Sequence, residues 1–391
     1  MSIQFTEEQI ALRDLARDFF EKEVRPVAAE IDARPDPKEC YPRELVKKMS
    51  KIGLRTLALP KEYGGVNADV VTKSLLLMTM CEVEAGTAKI ISQCWKVSQL
   101  IVEAGTEFQK KKFLSEFAAD DEYVTSILIT EPNAGSDNLL PYNAPGAGVS
   151  VTAVPDGDVY ILNGVKALNS LAGYSKLLLV YARTDRSLSV RQGTSTFLVP
   201  ADLPGITYGQ VHNKMGFRLY PNGETIFDNV RVPKEYMIGG LNAGFDTFSQ
   251  IFRGSLEIPA TYLGICKAIY RIVMDHSRQR VQGGKPIIEH QTVGTMLAEI
   301  AMAIDTLEGY LWDTAYHLKN DRIYDTKKTR FGKIFACDCM VKCILMGLDV
   351  LGGAGIMRDH PMEKLVRDGL TFLHGDGTNS LTKLRVVPLL K

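Results

Sequence analysis

The stretch YVTSILITEPNAGSD, residues 123–137, marks the point where the chain changes from helical to strand-like sequence. Its first eight residues are rich in β-branched side chains, and Pro132 and Gly135 follow them, which is typical of a β-strand that ends in a turn. The Gly-Ser pair after the strand offers backbone N–H groups and a hydroxyl, which suit a phosphate or a planar cofactor. Taken alone, the pair fits an ordinary loop of a β-domain equally well.

Residues 1–122, before this stretch, have the periodicity of helices. Thr6 begins a sequence that resembles a capping box, and apolar residues then recur every three or four positions. Pro26 predicts a bend or an end of the first helix. Gly86 predicts a break in the proline-free stretch 71–104. We therefore expect an N-terminal α-helical domain over residues 1–122.

After the opening stretch, short β-branched runs divided by Gly, Pro and Asn continue to about residue 235. They lie at 149–154, 159–164, 177–182, 194–200, 206–211 and 223–232. Strands this closely spaced predict an antiparallel β-domain over residues 123–235 with barrel or sandwich geometry. Long helical runs then lie at 258–282, 292–318 and 329–351. They predict a C-terminal four-helix-bundle domain over residues 236–391, and the expected fold class is α+β.

The composition is that of an ordinary globular protein, with 45% hydrophobic and 24% charged residues. Lys+Arg and Asp+Glu both number 46, so net charge gives no reason to expect nucleic acid or an anionic membrane surface as a partner. The start of the chain lacks a signal-peptide pattern, and no apolar run approaches the ~20 residues of a membrane span. We expect a cytoplasmic protein with reduced cysteines and no metal site.

A second stretch with chemical potential is LHGDGTNS, residues 373–380. Asp376 stands between two glycines, which let the backbone bend tightly and approach a ligand closely. A carboxylate that projects from such a bend is suited to act as a general base. Taken alone, the stretch is more simply interpreted as a surface turn.

Together the two stretches resemble the acyl-CoA dehydrogenase family. Residues 130–137, TEPNAGSD, are similar to the family signature T-E-P-x-A-G-S-D, and other matching stretches follow in the family's order. They are KMG at 214–216, DNVRVP at 228–233, Arg280, EHQ at 289–291, LGGAG at 351–355 and DGT at 376–378. The resemblance covers essentially the whole chain, and the family fold has the same α–β–α plan.

The resemblance implies an FAD-dependent flavoprotein that removes two hydrogens from an acyl-CoA thioester. A carboxylate takes the α-proton, and the β-hydrogen passes as hydride to flavin N5. The carboxylate stands at Asp376, although most members have Glu there. Because Asp is one methylene shorter, we expect an α-branched or alicyclic acyl group, such as cyclohexanecarboxyl-CoA. A straight-chain or dicarboxylic acyl-CoA, a nitroalkane-oxidase-like flavin oxidase and a non-catalytic acyl-CoA-binding relative remain open alternatives.

The resemblance also implies roles for single residues. Ser170 keeps a hydroxyl expected to bond the flavin near N5, whereas Leu168 replaces the family's aromatic residue. Gly377 is expected to donate its N–H to the thioester oxygen. The expected cofactor-binding residues are Ile127, Ile129, Thr130, Gly135, Ser136, Leu168, Ser170, Arg280, Gln291, Asp349, Gly352, Gly353 and Thr378. The expected substrate-binding residues are Ser136, Asp376 and Gly377, and the expected catalytic residue is Asp376.

Arg280, Gln291 and residues 349–353 are expected to meet the FAD of a neighbouring subunit. The resemblance therefore implies a homo-oligomer, a tetramer, formed through the C-terminal helices, with an electron-transfer flavoprotein as electron acceptor. Two further cations, Arg253 and Lys96, have two interpretations. Either both face a polar or carboxylated acyl group, or Arg253 contacts CoA and Lys96 is a surface lysine.

Overall fold

The N-terminal part of the chain is helical, as the sequence predicts. The computed structural model describes residues 4–140, 144–252, 255–320 and 325–390. Its N-terminal helices are α1 Glu7–Phe19, α2 Arg25–Asp32, α3 Arg43–Lys51, α4 Val70–Cys81, α5 Ala85–Ala104, α6 Glu107–Gln109 and α7 Ser115–Ala119.

The ends of these helices follow local side-chain chemistry. Thr6 forms the predicted capping box at the start of α1. A π-helical turn, Phe20–Val24, joins α1 to α2 and places Pro26 in the first turn of α2, where proline is tolerated. The break between α4 and α5 lies before Gly86, because Glu84 caps α5 and its carboxylate accepts the backbone N–H of Gly86 at 3.1 Å.

The middle part of the chain forms one eight-stranded sheet. Its strands are β1 Thr125–Leu128, β2 Thr152–Asp156, β3 Val159–Ser170, β4 Leu177–Arg183, β5 Thr194–Pro200, β6 Ile206–Val211, β7 Asn222–Pro233 and β8 Met237–Ile238. The strand order is β6-β7-β3-β2-β4-β5-β8, and β1 pairs with β4. The prediction of an antiparallel sheet is wrong for the β1–β4 and β2–β4 pairings, which are parallel. No hairpin joins these strands, so their direction is not fixed by a tight turn.

The C-terminal part returns to helices. They are α8 Gly244–Phe252, α9 Glu257–Gln279, α10 Gln291–Asn320, α11 Thr326–Leu351, α12 Pro361–Thr371 and α13 Asn379–Val386, with a small hairpin of β9 Val281–Gln282 and β10 Lys285–Pro286. The long helices α9, α10 and α11 pack against one another, and α12 packs against α9 and α11. This packing forms the predicted C-terminal helical bundle.

Two hydrophobic cores support the fold. One is continuous between the N-terminal and C-terminal helices, and α4 packs directly on α9. The other lies against the sheet and consists of side chains from its own strands. The division into domains at residues 122 and 235 stays a prediction. Within the described ranges, none of the helices has both the length and the hydrophobicity needed to span a bilayer.

Candidate active site

A cleft of about 500 Å³ opens where α5, β1, β3 and residues 371–381 meet. This volume is within the range of small-molecule sites. The cleft collects ten of the predicted site residues from distant parts of the sequence. They are Ile127, Ile129, Thr130, Gly135, Ser136, Leu168, Ser170, Asp376, Gly377 and Thr378.

Five other predicted residues do not line this cleft. They are Arg280, Gln291, Asp349, Gly352 and Gly353, and all five are exposed at the surface of the single chain. Their expected contact with the FAD of a neighbouring subunit stays a prediction. Arg253 lies outside the described residues.

A buried ion pair fixes the loop that carries Gly135 and Ser136. Lys166 donates to the carboxylate of Glu131 at 2.8 Å and to the carbonyl of Ile129 at 3.0 Å. Burial lowers the pKa of Lys166 to about 8. Burial alone would raise the pKa of Glu131, but Lys166 holds that pKa below its usual value. The pair therefore connects β3 to the loop after β1 and gives that wall of the cleft a fixed shape.

A bulge in β3 places an apolar side chain in the cleft. The register between β3 and β7 shifts between Lys166 and Asn169, and Leu168 adopts a left-handed φ of 55°. The Asn169 amide stabilises the bulge, because it donates to the carbonyl of Lys166 at 3.0 Å and to the Thr225 hydroxyl at 3.2 Å. Leu168 is 57% exposed, so a large apolar side chain is available to a ligand there.

The turn that carries Asp376 is anchored on its C-terminal side. Asp376 has a φ of 53° and Gly377 a φ of 94°. Lys333 of α11 donates to the carbonyl of Gly377 at 2.6 Å and to the Asn379 side chain at 3.1 Å. The Thr378 hydroxyl caps α13 by accepting the backbone N–H of Leu381 at 3.1 Å. These bonds fix the backbone that follows Asp376, whose side chain lies at the cleft with 30% of its surface exposed.

Buried charges line the cleft beside Asp376, and the sequence did not reveal most of them. Lys96 of α5 lies 3.5 Å from the Asp376 carboxylate and is also ion-paired with Glu257 of α9. Lys89 of α5 forms an ion pair with the same Glu257. The interpretation of Lys96 as a surface lysine is wrong, because its side chain is 10% exposed and lines the cleft. The available signal was the presence of two lysines in a mostly apolar helix, because an unpaired charge is costly where it is buried.

The charges of this group stabilise one another. Burial alone would raise the pKa of Glu257, but Lys89 and Lys96 hold it at about 2. Burial lowers the pKa of Lys89. Glu257 is therefore a carboxylate at neutral pH, although it lies in the protein interior.

Aromatic side chains form the apolar part of the cleft. Phe372 stacks on Phe217 with 5.0 Å between ring centroids. The ammonium of Lys89 lies 4.5 Å from the centroid of the Phe372 ring. The Tyr220 hydroxyl donates to Gln93 at 3.3 Å. These rings give the cleft an apolar wall beside its buried charges.

The described cleft fits a flavin. Ile127, Ile129 and Leu168 provide apolar contacts for the faces of a planar ring, and the hydroxyls of Thr130, Ser136 and Ser170 can bond its polar edge. The described residues contain no cluster of His, Cys, Asp or Glu arranged to hold a metal ion. A carboxylate beside a flavin-sized cleft suits an oxidoreductase whose base removes a proton from a bound substrate.

Comparison with known proteins agrees with this class. The family models for the N-terminal, middle and C-terminal domains of acyl-CoA dehydrogenase match residues 6–121, 126–230 and 242–387. An acyl-CoA dehydrogenase of Bacillus subtilis is 33% identical over 381 residues, 97% of each chain. The cyclohex-1-ene-1-carbonyl-CoA dehydrogenase of Geobacter metallireducens is 32% identical over 383 residues, 97% of each chain. The structure of butyryl-CoA dehydrogenase from Megasphaera elsdenii superposes with a TM-score of 0.91 at 28% identity, over 100% of both chains.

The chain therefore belongs to the acyl-CoA dehydrogenase family. It is an FAD-dependent oxidoreductase that acts on CH–CH bonds. FAD held by the residues of this cleft would supply the acceptor for the hydrogen that leaves the β-carbon. The predicted family and fold class are confirmed, as is the predicted cofactor.

Proposed function

We propose that this acyl-CoA dehydrogenase acts on a compact α-branched or alicyclic thioester, such as cyclohexanecarboxyl-CoA, with Asp376 as the base in place of the usual Glu. The observation that carries the proposal is the position of Asp376. Its carboxylate lines the cleft next to Gly377 and beside the buried ammonium of Lys96.

The chain's own residues have the following roles in the proposed reaction. The thioester makes the α C–H of the substrate acidic, and Asp376 accepts that proton. The backbone N–H of Gly377 stabilises the negative charge that develops on the thioester oxygen. Ser136 contacts the substrate as well as the cofactor, and Ser170 and Thr130 orient the flavin edge.

The walls of the cleft favour a compact acyl group over a long straight chain. Lys89, Lys96 and Gln93 present polar groups from α5, while Phe372 and Tyr220 present rings. Burial of a methylene against apolar atoms contributes about 0.8 kcal/mol, and that gain is lost beside buried ions. A ring or branch that packs against the aromatic walls keeps this gain in free energy.

A dicarboxylic acyl group is less favoured because the two lysines that α5 contributes to the cleft already have carboxylate partners. Lys89 is ion-paired with Glu257, and Lys96 contacts both Glu257 and Asp376. A substrate carboxylate would have to compete with these groups for the same ammonium ions. Among the relatives, the Geobacter enzyme is named for an alicyclic thioester, and the Megasphaera enzyme is named for a short straight chain. A short straight-chain substrate is therefore the alternative.

The expected partners also remain proposals. Exposed apolar side chains in the C-terminal part of the chain support assembly through that part of the molecule. They are Met302, Leu345, Ile356, Met357 and Leu384. A tetramer, an electron-transfer flavoprotein as acceptor and a cytoplasmic location rest on the family resemblance and on the sequence.

The proposal is tested by anaerobic titration of the FAD-loaded protein with a panel of acyl-CoA thioesters, followed by the flavin absorbance. The panel contains cyclohexanecarboxyl-CoA, an α-branched acyl-CoA, straight-chain acyl-CoAs and a dicarboxylic acyl-CoA. We expect the branched and cyclic members to bleach the flavin at least about tenfold faster than the straight chains, because the base is placed for them. The matched control is Asp376→Asn, which keeps the size of the side chain and removes the base. Equal or faster bleaching by straight chains would contradict the proposed specificity.

A further inference from the structure

Four charged side chains form a chain of contacts that ends at the proposed base. Lys89 and Lys96 project from the same side of α5, seven residues apart, and Glu257 of α9 is ion-paired with both. Lys96 then reaches the Asp376 carboxylate at 3.5 Å. The order of contacts is therefore Lys89, Glu257, Lys96, Asp376, with alternating charge.

Glu257 is a fixed anchor within this chain of contacts. Its side chain is 6% exposed, and it accepts hydrogen bonds from Lys89 and from the hydroxyl of Ser92. Both donors belong to α5, so the position of Glu257 relative to that helix is set from two points. Lys96 is held by the same carboxylate and is itself 10% exposed, so its ammonium has little freedom to move.

Asp376 is held differently from these three groups. Lys333 anchors the backbone of its turn at the carbonyl of Gly377, but that bond does not restrain the Asp376 side chain. Within the described part of the chain, the hydrogen bond to its carboxylate comes from the ammonium of Lys96. Burial alone would lower the pKa of Lys96, but Asp376 and Glu257 raise it above its usual value. Lys96 is therefore a cation throughout the working pH range.

We propose that Lys96 is a positioning residue that fixes the Asp376 carboxylate in the cleft, and that Glu257 acts through Lys96 as its anchor. The inference rests on the proposed role of Asp376 as the base. A shorter carboxylate reaches less far and depends more on its orientation, and a geometric error of about 1 Å can cost about 100-fold in rate. A fixed ammonium beside Asp376 supplies that orientation.

Removal of the Lys96 charge should shift the pH profile of the enzyme in a definite direction. A cation close to a carboxyl favours its ionised form, and an anion disfavours it. Loss of the Lys96 charge should therefore move the acidic limb of the kcat/KM profile to higher pH. The titratable or charged groups that surround Asp376 and Lys96 are Lys89, Glu257, Lys333, Lys214, Tyr220 and His374. All of them remain in a Lys96 variant, so a shift between the two profiles reports the lost ammonium.

The experiment measures anaerobic flavin reduction by cyclohexanecarboxyl-CoA between pH 5 and 9 for the FAD-loaded wild-type protein and its variants. We expect Lys96→Met to reduce the maximal rate about tenfold or more. We also expect its acidic limb to rise by about one pH unit. Lys96→Arg keeps a cation and should leave the limb in place. Glu257→Gln keeps the Lys96 cation, so its limb should not rise, although its rate should fall because Lys96 loses its anchor.

Two controls separate this inference from damage to the fold and from failure of the proposed function. Lys73→Met removes another partly buried lysine, which contacts Gln99 of α5 outside the cleft, and its profile should match the wild type. If Lys96→Met has an unchanged rate and an unchanged acidic limb while Asp376→Asn is inactive, the inference is overturned. The assignment of Asp376 as the base then still stands. Full activity of Asp376→Asn would overturn the base assignment and this inference with it. If Lys96→Met does not retain FAD, the acidic limbs of the pH profiles of Lys96→Arg and Glu257→Gln test the inference instead. A shift of either limb to higher pH overturns the inference.

Discussion

At the scale of single residues, the backbone of Asp376 offers a reason for aspartate that is independent of the substrate. Its φ of 53° lies in the left-handed region, which Asp and Asn adopt more readily than other side chains that carry a Cβ. Steric demand at the turn therefore favours Asp. In the proposed reaction, the shorter reach of Asp to the α-proton favours it as well. The substrate panel separates these causes, since the backbone argument predicts no preference between cyclic and straight-chain thioesters.

A second residue, Leu168, is strained in a way that predicts a conflict between stability and cofactor binding. A left-handed conformation costs a residue with a Cβ roughly 1–2 kcal/mol, and Leu168 has a φ of 55°. We expect Leu168→Asn to raise the free energy of unfolding of the FAD-free protein by about 1 kcal/mol. We also expect it to weaken FAD binding, because an apolar contact is lost.

Urea unfolding of the FAD-free protein and titration with FAD measure the two effects of Leu168→Asn. Leu168→Ala is the matched control, because it shortens the side chain but lacks the polar group with which Asn can hydrogen-bond locally in the left-handed conformation, and so it keeps the strain. A gain in stability of Leu168→Ala equal to that of Leu168→Asn would show that the strain is not the cause.

At the scale of elements, the Glu131–Lys166 pair is expected to determine the stability of the β1 loop. Lys166 is fully buried and Glu131 is 4% exposed. Glu131→Gln keeps a hydrogen-bond acceptor but leaves the lysine without a counter-ion, and breaking a buried pair in this way costs about 3 kcal/mol. We expect a loss of that size in the free energy of unfolding, measured by urea denaturation.

The double variant Glu131→Gln, Lys166→Met tests the cause of that loss. It removes the isolated charge and should recover most of the lost stability, because the cost of breaking a buried ion pair comes mainly from the uncompensated charge that is left behind. If the double variant is as unstable as Glu131→Gln, the loop depends on the hydrogen bonds of Glu131 and not on charge.

The elements were also where the sequence was most informative. Periodicity placed most of the strands and the long helices within a few residues of their observed bounds, because local patterns decide those elements. The exception is β3, which was predicted to end at residue 164 and continues to Ser170. The parallel pairing of β1 with β4 was not predicted, since it depends on tertiary contacts and not on a turn. In the cleft, motif residues such as Ser136 and Asp376 were predicted, but Glu257 was missed. Its partner Lys89 lies 168 positions away, and one sequence does not reveal a pairing at that distance.

At the scale of the whole molecule, the predicted site is divided between a cleft and an exposed surface. Asp376 lines the cleft, whereas Arg280 and Gln291 lie at the surface outside it. Two interpretations follow for the surface residues. They have no role in FAD binding, or they bind the FAD held in the cleft of another subunit, where a guanidinium suits a pyrophosphate.

Mixed oligomers distinguish the two interpretations. Arg280→Ala is first assayed alone, and it keeps its activity if Arg280 has no role in FAD binding. If it is inactive, Arg280→Ala and Asp376→Asn subunits are co-expressed, and the activity of the mixture is measured. If Arg280 acts on the FAD of its neighbour, a mixed dimer contains one site with both Arg280 and Asp376 intact and one site with neither. Random pairing makes half of the dimers mixed, so the unfractionated protein should regain about a quarter of the wild-type activity. If both residues serve the FAD of their own subunit, every site lacks one of them, and mixing restores nothing.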